Sequence, residues 1–190
     1  MSFLSDSDQK LLLSFARSTI LAKLENTLNN KTPQSKCDAF SQKRGCFVTL
    51  HKKGVLRGCI GTIEPITQLV RCIEENALNA AFHDPRFSPL TKDELDVVKV
   101  EISILTVPQK LVFDSKDDLL RQLKPHVHGV ILSHDWHKAT FLPQVWKQLP
   151  DKGSFLEQLC RKAGLKELCW KEERTGIAVY EVEYFSEEVN

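Results

Sequence analysis

The sequence LRGCIG at Leu56–Gly61 places two glycines, an arginine and a cysteine within six residues of a predicted β-strand. Glycine weakens the interior of a strand, so two glycines this close together indicate a bulge, a close backbone approach or a bound ligand. Alternate side chains of a strand share a face. The pattern therefore predicts that Arg57 and Cys59 lie on one face, with the charged guanidinium beside the thiol.

The residues around LRGCIG predict a hairpin that packs against helices. Apolar periodicity and turn residues predict a helix over 5–29, strands over 46–51 and 55–61, a helix over 65–83 and a strand over 99–107. Gly54 supplies the positive φ that the hairpin turn needs. The N-terminal half therefore combines an antiparallel sheet with helices.

The second half of the chain predicts another block of the same kind. It contains a predicted helix over 115–123, strands over 129–133 and 138–142, a helix that starts at a capping box at Ser154, and a last strand over 176–185. The last strand is expected to return to the first sheet. The sequence thus predicts an α+β fold with mostly antiparallel sheets flanked by helices. A larger lobe spans 1–107 plus 173–190, and a smaller lobe is inserted at 108–172.

The composition favours a globular chain without a strongly charged surface. The 190 residues are 42% hydrophobic and 27% charged, and the formal net charge is +1. Strongly basic proteins bind nucleic acids and anionic membranes, so neither is expected as a partner here. The N-terminus lacks a basic segment followed by an apolar run, and no stretch has the length of a membrane-spanning helix. A soluble, cytoplasmic protein is therefore expected.

The six cysteines form no C-x-x-C pair, which gives no support to a zinc ribbon or a thioredoxin-like motif. In a reducing cytosol most of them are expected to pack as small hydrophobic side chains. Cys72 and Cys160, at predicted helical positions, fit this interpretation. Cys59 leaves two interpretations open, because a nearby cation favours the nucleophilic thiolate, whereas a buried free cysteine is a common core residue.

Two further segments contain candidate functional side chains. In the loop after the second long helix, Asp84 could pair with Arg86 or orient a substrate group, or the loop could serve packing alone, with Phe87 as its anchor. His128 is a candidate general base or hydrogen-bond donor, or a structural histidine. His126 and His128 form a His-x-His pair without an evident third ligand, so no metal site is predicted. Phosphate-binding, dinucleotide-binding and serine-hydrolase motifs are absent from the sequence.

Several segments together resemble the AMMECR domain family, whose bacterial and archaeal members are called AmmeMemoRadiSam system protein A. The matching segments are LRGCIGT at 56–62, ENA at 75–77, DPRF at 84–87, VHGV at 127–130, ATFLPQVW at 139–146 and LCRKAG at 159–164. The resemblance implies a two-lobed α+β fold whose larger lobe holds both termini. It also implies a LRGCIG strand near a groove between the lobes, and association with a Memo-like protein and a radical SAM protein. It implies no particular reaction.

Two functional hypotheses follow from the residues and the resemblance together. In the first, the chain is an enzyme or an enzyme subunit that binds a small anionic or modified substrate around LRGCIG. The candidate catalytic residues are then Cys59, His128 and Asp84, and the candidate substrate-binding residues are Arg57, Gly58, Asn76, Arg86 and Thr140. In the second, the chain is a non-catalytic interaction or regulatory module, and the motif is architectural. No cofactor and no metal are expected, and a metalloprotein is a third interpretation.

Overall fold

The structure is a computed structural model that describes residues 4–27, 32–35 and 37–188, and the predicted end of the first helix at 28–29 lies outside them. The chain divides into two units. The larger unit consists of Met1–Leu105 and Glu183–Asn190, and the smaller unit of Thr106–Val182. Each unit has its own four-stranded sheet and its own hydrophobic core.

The helices and strands follow in chain order. They are α1 (Asp6–Leu24), β1 (Cys46–Lys52), β2 (Val55–Thr62), α2 (Leu69–Phe82), α3 (Lys92–Leu95), β3 (Val98–Leu105), β4 (Gln109–Lys110), α4 (Lys116–Gln122), β5 (Gly129–His134), β6 (His137–Phe141), α5 (Lys152–Lys162), β7 (Thr175–Tyr180) and β8 (Val182–Ser186). Short 3₁₀ turns lie at Asp38–Phe40, Pro143–Lys147 and Glu167–Lys171.

The sheet of the larger unit has the strand order β2-β1-β3-β8, so β2 is an edge strand. β1 and β2 form a hairpin whose turn residues Lys53 and Gly54 have φ values of 52° and 78°. Two positive φ values give a turn whose twist matches that of the strands. One face of the sheet is buried and packs against α1 and α2. Its alternating side chains include Cys46, Val48, Leu50, Val100, Ile102 and Ile104.

The sheet of the smaller unit has the strand order β4-β7-β5-β6, and its neighbouring strands are antiparallel. The core on this sheet is centred on Trp146, which is fully buried and stacks on Phe155 with 3.6 Å between the ring centroids. The Trp146 indole donates a hydrogen bond to the carbonyl of His128 at 2.7 Å, so its polar atom is satisfied inside the core.

The predicted α+β class, with antiparallel sheets flanked by helices, is confirmed. The last strand differs from the prediction, because it is two strands in two sheets. β7 pairs with β5 in the smaller unit, whereas β8 belongs to the sheet of the larger unit, and Glu181 separates them. Apolar residues recur from Ile177 to Phe185 through both strands, so the sequence pattern did not reveal the change of sheet.

The prediction for Cys160 was wrong, because this residue forms a disulfide with Cys169. The bond joins α5 to the 3₁₀ turn that follows it, across a sequence separation of 9 residues. Within the described part of the chain, no helix combines the length and the hydropathy that crossing a bilayer requires.

Candidate functional site

A bulge in β2 turns the side chain of Arg57 away from the direction that regular alternation along the strand predicts. Leu50 of β1 pairs with Gly58, but the next residue, His51, pairs with Leu56, so Arg57 is the extra residue. Arg57 is 8% exposed, and its guanidinium donates to both carboxylate oxygens of Glu94, at 3.1 and 2.8 Å. Arg57 therefore binds a carboxylate, which differs from the predicted arrangement beside the Cys59 thiol.

Glu94 connects β1, β2 and the start of α3 through its carboxylate. It accepts hydrogen bonds from Arg57 and from the ammonium group of Lys52 at 2.8 Å, and it completes the capping box of α3 with Thr91. The hydrogen bonds from Arg57 and Lys52 lower the pKa of Glu94 to about 2. Arg57 also donates to the carbonyl of Ser88 at 2.9 Å, so the loop before α3 is tied to the edge strand.

Gly58 permits a close approach between β2 and α2. A Cβ atom at this position would lie 2.2 Å from the carbonyl oxygen of Ala80. Real Cβ atoms do not come this close to a main-chain oxygen, so a side chain would push the helix away from the strand. The first glycine of LRGCIG therefore has a packing role.

The main chain of Cys59 is held by an ion pair in place of a neighbouring strand. Its N–H donates to Oδ2 of Asp84 at 2.9 Å, and its carbonyl accepts from the Arg86 guanidinium at 3.1 Å. Asp84 and Arg86 also bind each other, with 2.7 Å between Nη2 and Oδ2. The hydrogen bond from Arg86 is the main cause that holds the pKa of Asp84 well below its usual range. Asp84 thus stays ionised, which suits an acceptor better than a proton donor.

The thiol of Cys59 is half-buried on the face of the sheet opposite α2. Thr49, its partner across the hairpin, donates its hydroxyl hydrogen bond to Sγ at 3.3 Å. The N–H, the carbonyl and the sulfur of Cys59 therefore each have a fixed partner. Such an arrangement positions a thiol, whether or not the thiol reacts.

Phe87 lies between the two arginines of the site. The guanidinium carbon of Arg57 is 5.8 Å from the centroid of its ring, and that of Arg86 is 5.5 Å away. Both distances are within the range of a cation–π interaction. Phe87 therefore contributes to the order of both guanidinium groups.

Asn76 lies apart from this cluster, in the interface between α2 and the sheet. It is 3% exposed, and its amide donates to the carbonyl of Cys46 at 3.3 Å. Its surroundings are core residues, including the thiols of Cys46 and Cys72. The hydrogen bond to the Cys46 carbonyl thus gives Asn76 a structural role in the core.

His128 and Thr140 lie in the smaller unit. Nδ1 of His128 accepts a hydrogen bond from the N–H of Lys124 at 3.3 Å, so the neutral ring carries its proton on Nε2. Burial, and then the charge of Lys124, lower the pKa of His128 and favour this neutral form. Of the two chemical roles predicted for His128, hydrogen-bond donor suits this tautomer better than general base.

The hydroxyl of Thr140 is part of a closed network. It donates to the carbonyl of Val130 at 2.9 Å and lies 3.0 Å from the hydroxyl of Tyr180. Burial raises the pKa of Tyr180 to about 12, so this phenol remains protonated and can donate. The Tyr180 ring lies over Gly129, where a Cβ atom would be 2.4 Å from the ring.

The predicted site residues thus divide among three places. Arg57, Gly58, Cys59, Asp84 and Arg86 form one cluster around β2, which we call the β2 cluster. Asn76 lies in the core of the same unit, and His128 and Thr140 belong to the smaller unit. Among the described residues, no group of three or more His, Cys, Asp and Glu side chains is placed to hold a metal ion.

The sequence interpretation missed Glu94 and Thr49 as members of the β2 cluster. Glu94 was recognisable only as the last residue of the capping box that begins at Thr91. Its second role, as the counter-ion of Arg57, depends on how the loop before α3 folds back to β2. Thr49 could have been found from the hairpin register, had the bulge been known.

The two sheets and their flanking helices define an α+β protein. Comparisons with known proteins agree with this fold class. The AMMECR1 family model matches residues 13–185, and the chain belongs to this family. A protein of Methanothermobacter thermautotrophicus is 38% identical over 186 residues, covering 97% of both chains. Protein MJ0810 of Methanocaldococcus jannaschii is 38% identical over 179 residues, covering 92% of this chain and 89% of its own.

A solved structure is similar in fold as well as in sequence. The crystal structure of the uncharacterised protein PH0010 from Pyrococcus horikoshii superposes with a TM-score of 0.85 at 33% sequence identity. The match covers 98% of this chain and 95% of that one.

Proposed function

We propose that this AMMECR1-family chain is a binding module in which the β2 cluster is a scaffold rather than a reaction centre. The observation that carries the proposal is that the charged groups of the cluster bind one another. Arg57 binds Glu94, and Asp84 binds Arg86 and the main chain of Cys59. A catalytic or substrate-binding role would require these charges to be offered to a ligand instead.

The cost of redirecting those charges supports the proposal. Arg57 is 8% exposed and Asp84 is 4% exposed, so both charges depend on their partners inside the chain. Removing one partner of a buried ion pair leaves an uncompensated charge and costs about 3–5 kcal/mol. A small anion that displaced Glu94 from Arg57 would have to offset a penalty of this kind. The same contacts hold β2 rigid, so a partner protein can bind a strand that is already ordered.

The proposed contact surface is the solvent-exposed start of β2. Val55 is 69% exposed and Leu56 is 38% exposed, so two adjacent apolar side chains lie on the surface of the hairpin. Exposed apolar residues next to a rigid element suit protein–protein contact, whose centre is depleted in charge. From the family resemblance, the proposed partners are a Memo-like protein and a radical SAM protein.

A second candidate function is an enzyme, or a subunit of one, with Cys59 as its nucleophile. Two observations favour it. The hydroxyl of Thr49 donates to Sγ of Cys59, which holds the sulfur in a fixed position beside the strand. Among the described residues, Nη1 of Arg57 is buried without a hydrogen-bond partner, so one donor remains for an oxygen of a small anionic or modified substrate.

Titration calorimetry with the Memo-like and radical SAM proteins of the same organism tests the proposal. We expect Val55→Asp and Leu56→Asp to weaken binding to one of them about tenfold or more, that is, by about 1.4 kcal/mol. Cys59→Ser should bind within about twofold of the unchanged chain. Val112→Asp is the matched control, since Val112 is 81% exposed in the smaller unit. Circular dichroism establishes that each variant is folded.

Two outcomes would overturn the binding-module proposal. One is that neither partner protein binds the unchanged chain. The other is that iodoacetamide alkylates Cys59 much faster than Cys37, the other half-buried thiol, and that a folded Cys59→Ser chain fails to complement loss of the gene in vivo. The second outcome would establish the enzyme candidate instead.

A further inference from the structure

Two free cysteines of the larger unit lie almost within bonding distance of each other. Sγ of Cys46, on β1, is 2.9 Å from Sγ of Cys72, on α2. Non-bonded carbon atoms already keep about 3.5–4.0 Å apart, and sulfur is the larger atom. A disulfide bond is about 2.05 Å long. The two sulfur atoms are therefore much closer than ordinary packing requires.

The surroundings of the pair make the two thiols unequal. The thiol of Cys46 donates its hydrogen bond to Sγ of Cys72, and the amide of Asn76 points at both sulfur atoms, at 3.6 and 3.4 Å. Cys72 is the fourth residue of α2, close to the end of the helix where the dipole favours negative charge. The hydrogen bond from Cys46, the shorter of the two Asn76 contacts and the helix position all favour a thiolate at Cys72.

The pKa values of the two thiols shift in opposite directions for these reasons. The hydrogen bond from Cys46 is the main cause that lowers the pKa of Cys72, and Asn76 acts in the same sense. Burial, followed by the hydrogen bond to Cys72, raises the pKa of Cys46. A lower-pKa attacking thiol beside a higher-pKa partner is the usual arrangement in a pair of cysteines that is oxidised and reduced reversibly.

We propose that Cys46 and Cys72 are a reversible redox site, which a hydroperoxide oxidises to a disulfide between β1 and α2 and a small dithiol reduces. The pair lies apart from the β2 cluster and from the surface residues Val55 and Leu56, so this proposal stands independently of the proposed binding function.

The oxidation is balanced with hydrogen peroxide as the oxidant. The Cys72 thiolate attacks one peroxide oxygen, the O–O bond breaks, and the leaving hydroxide takes up the proton that Cys72 had released on ionisation, which gives water. The resulting sulfenic acid is attacked by the sulfur of Cys46. The S–S bond forms as the S–O bond breaks, and the hydroxide that leaves takes the thiol proton as a second water. Both sulfur atoms are oxidised by one electron each, and the peroxide is reduced to two waters.

The reverse step is thiol–disulfide exchange. One sulfur of a small dithiol attacks the disulfide, its second sulfur resolves the mixed disulfide, and both cysteines return to thiols. The dithiol becomes a cyclic disulfide, so it supplies both electrons and both protons.

Access to the pair depends on the first turn of α2. Cys46 is 0% exposed and Cys72 is 1% exposed, so the peroxide reaches them through local opening. The N-cap of α2 is Gln68, whose side chain makes no capping hydrogen bond. Helix ends without a side-chain cap open more readily than capped ones. This end of α2 is therefore the entry route we infer.

Peptide mapping of the full, folded chain tests the proposal directly. Trypsin places each of the six cysteines on a different peptide, at 37–43, 45–52, 58–71, 72–86, 153–161 and 167–171. The reduced chain is treated with hydrogen peroxide, its remaining thiols are alkylated, and it is digested without reductant. We expect peptide 45–52 to become linked to peptide 72–86 in most of the chain, and dithiothreitol to release the link.

The Cys160–Cys169 bond serves as the internal reference, because its peptides 153–161 and 167–171 report whether oxidation conditions were reached. If these two peptides are linked while 45–52 and 72–86 remain separate and alkylated, the proposal is wrong. It is also wrong if either peptide of the pair links instead to 37–43 or 58–71. The unchanged chain decides these outcomes, so they do not depend on a variant that folds.

Hydrogen exchange gives a second readout with matched variants. The oxidised chain should exchange the amides of the first turns of α2 more slowly than the reduced chain, because the disulfide ties the helix to β1. Cys72→Ala should abolish this difference, and Cys37→Ser should retain it. Equal exchange in the oxidised and reduced unchanged chains would contradict the proposed link between β1 and α2.

Discussion

The two units of the chain differ in the charged side chains that they bury. In the larger unit, Arg57 and Glu94 form an ion pair at the edge of the sheet, and Asp84 and Arg86 form another. In the smaller unit, the corresponding groups are neutral: the hydroxyls of Thr140 and Tyr180 bind each other, and the Trp146 indole donates to a carbonyl. The larger unit therefore buries an arginine and a carboxylate in ion pairs, whereas these groups of the smaller unit form neutral hydrogen bonds.

The units also share one feature, a glycine under a closely packed group. Gly58 lies under the main-chain carbonyl of Ala80, and Gly129 lies under the ring of Tyr180. A main-chain carbonyl is fixed by its helix, whereas a ring can rotate away. A glycine of the larger unit should therefore tolerate substitution less well than a glycine in a similar position of the smaller unit.

The largest expected loss of stability comes from replacing the glycines, and it tests the difference between them. Gly58→Ala should reduce the free energy of unfolding by about 3 kcal/mol, because its Cβ atom would collide with the Ala80 carbonyl at 2.2 Å. Gly129→Ala should cost about 1–2 kcal/mol, because the Tyr180 ring can move. Urea unfolding followed by circular dichroism measures both values. Equal losses would remove this distinction between the units.

An intermediate effect tests the dependence of the larger unit on charge. Glu94→Gln should cost about 2–3 kcal/mol, less than complete removal of the partner, because the amide oxygen still accepts a hydrogen bond from Arg57 but the counter-charge is lost. Glu167→Gln is the matched control, since it removes an ion pair with Arg161 whose side chains are 50% and 53% exposed. Exposed pairs contribute little, so this control should change stability by less than about 0.5 kcal/mol.

Urea unfolding at neutral pH and low ionic strength compares the two variants. Added salt should affect the Glu94→Gln difference less than it affects an exposed pair, because the Arg57 site is screened less by solvent. If Glu94→Gln is as mild as Glu167→Gln, the ion pair does not stabilise the larger unit as described.

The smallest expected effect concerns His128 in the smaller unit. The folded state keeps the pKa of His128 below its ordinary value, so the unfolded chain binds the proton first as the pH falls. The stability that neutral His128 contributes is complete above about pH 6.5 and decreases below it. We expect a loss of less than about 1 kcal/mol between pH 7.5 and pH 5.5.

Tryptophan fluorescence measures this loss, because Trp136, Trp146 and Trp170 all belong to the smaller unit. His128→Asn retains an acceptor for the Lys124 amide but does not titrate, so the pH dependence of its smaller unit should be flatter. His126→Asn is the control, since His126 is exposed with a φ of 66°, which asparagine tolerates. If the stability still depends on pH in His128→Asn but no longer does in His126→Asn, His128 is not the titrating group and the prediction is wrong.

Much of the fold could be predicted from the sequence because the signals were local. The hairpin turn at Gly54, the capping box at Thr91 and the alternation in β3 each depend on residues a few positions apart. The close approach at Gly58 could be predicted for the same reason, because a glycine inside a strand weakens it unless a neighbouring group needs the space.

The rest depended on contacts between distant segments. The bulge that redirects Arg57 is visible only in the register between β1 and β2, and its counter-ion Glu94 lies 37 residues further along the chain. The switch between β7 and β8 leaves no clear mark in the sequence, because apolar residues recur from Ile177 to Phe185 across both strands. The disulfide of Cys160 with Cys169 required knowing that the chain turns back after α5. Periodicity contains none of this information.

The position of Cys59 at a sheet edge has a consequence for the behaviour of the protein at high concentration. An edge strand with free N–H and carbonyl groups is a template on which another chain can add a strand and begin to aggregate. At Cys59 both groups are already occupied, one by Asp84 and the other by Arg86. The ion pair therefore also protects β2 against intermolecular pairing, at the LRGCIG strand that could otherwise recruit a second copy of the chain.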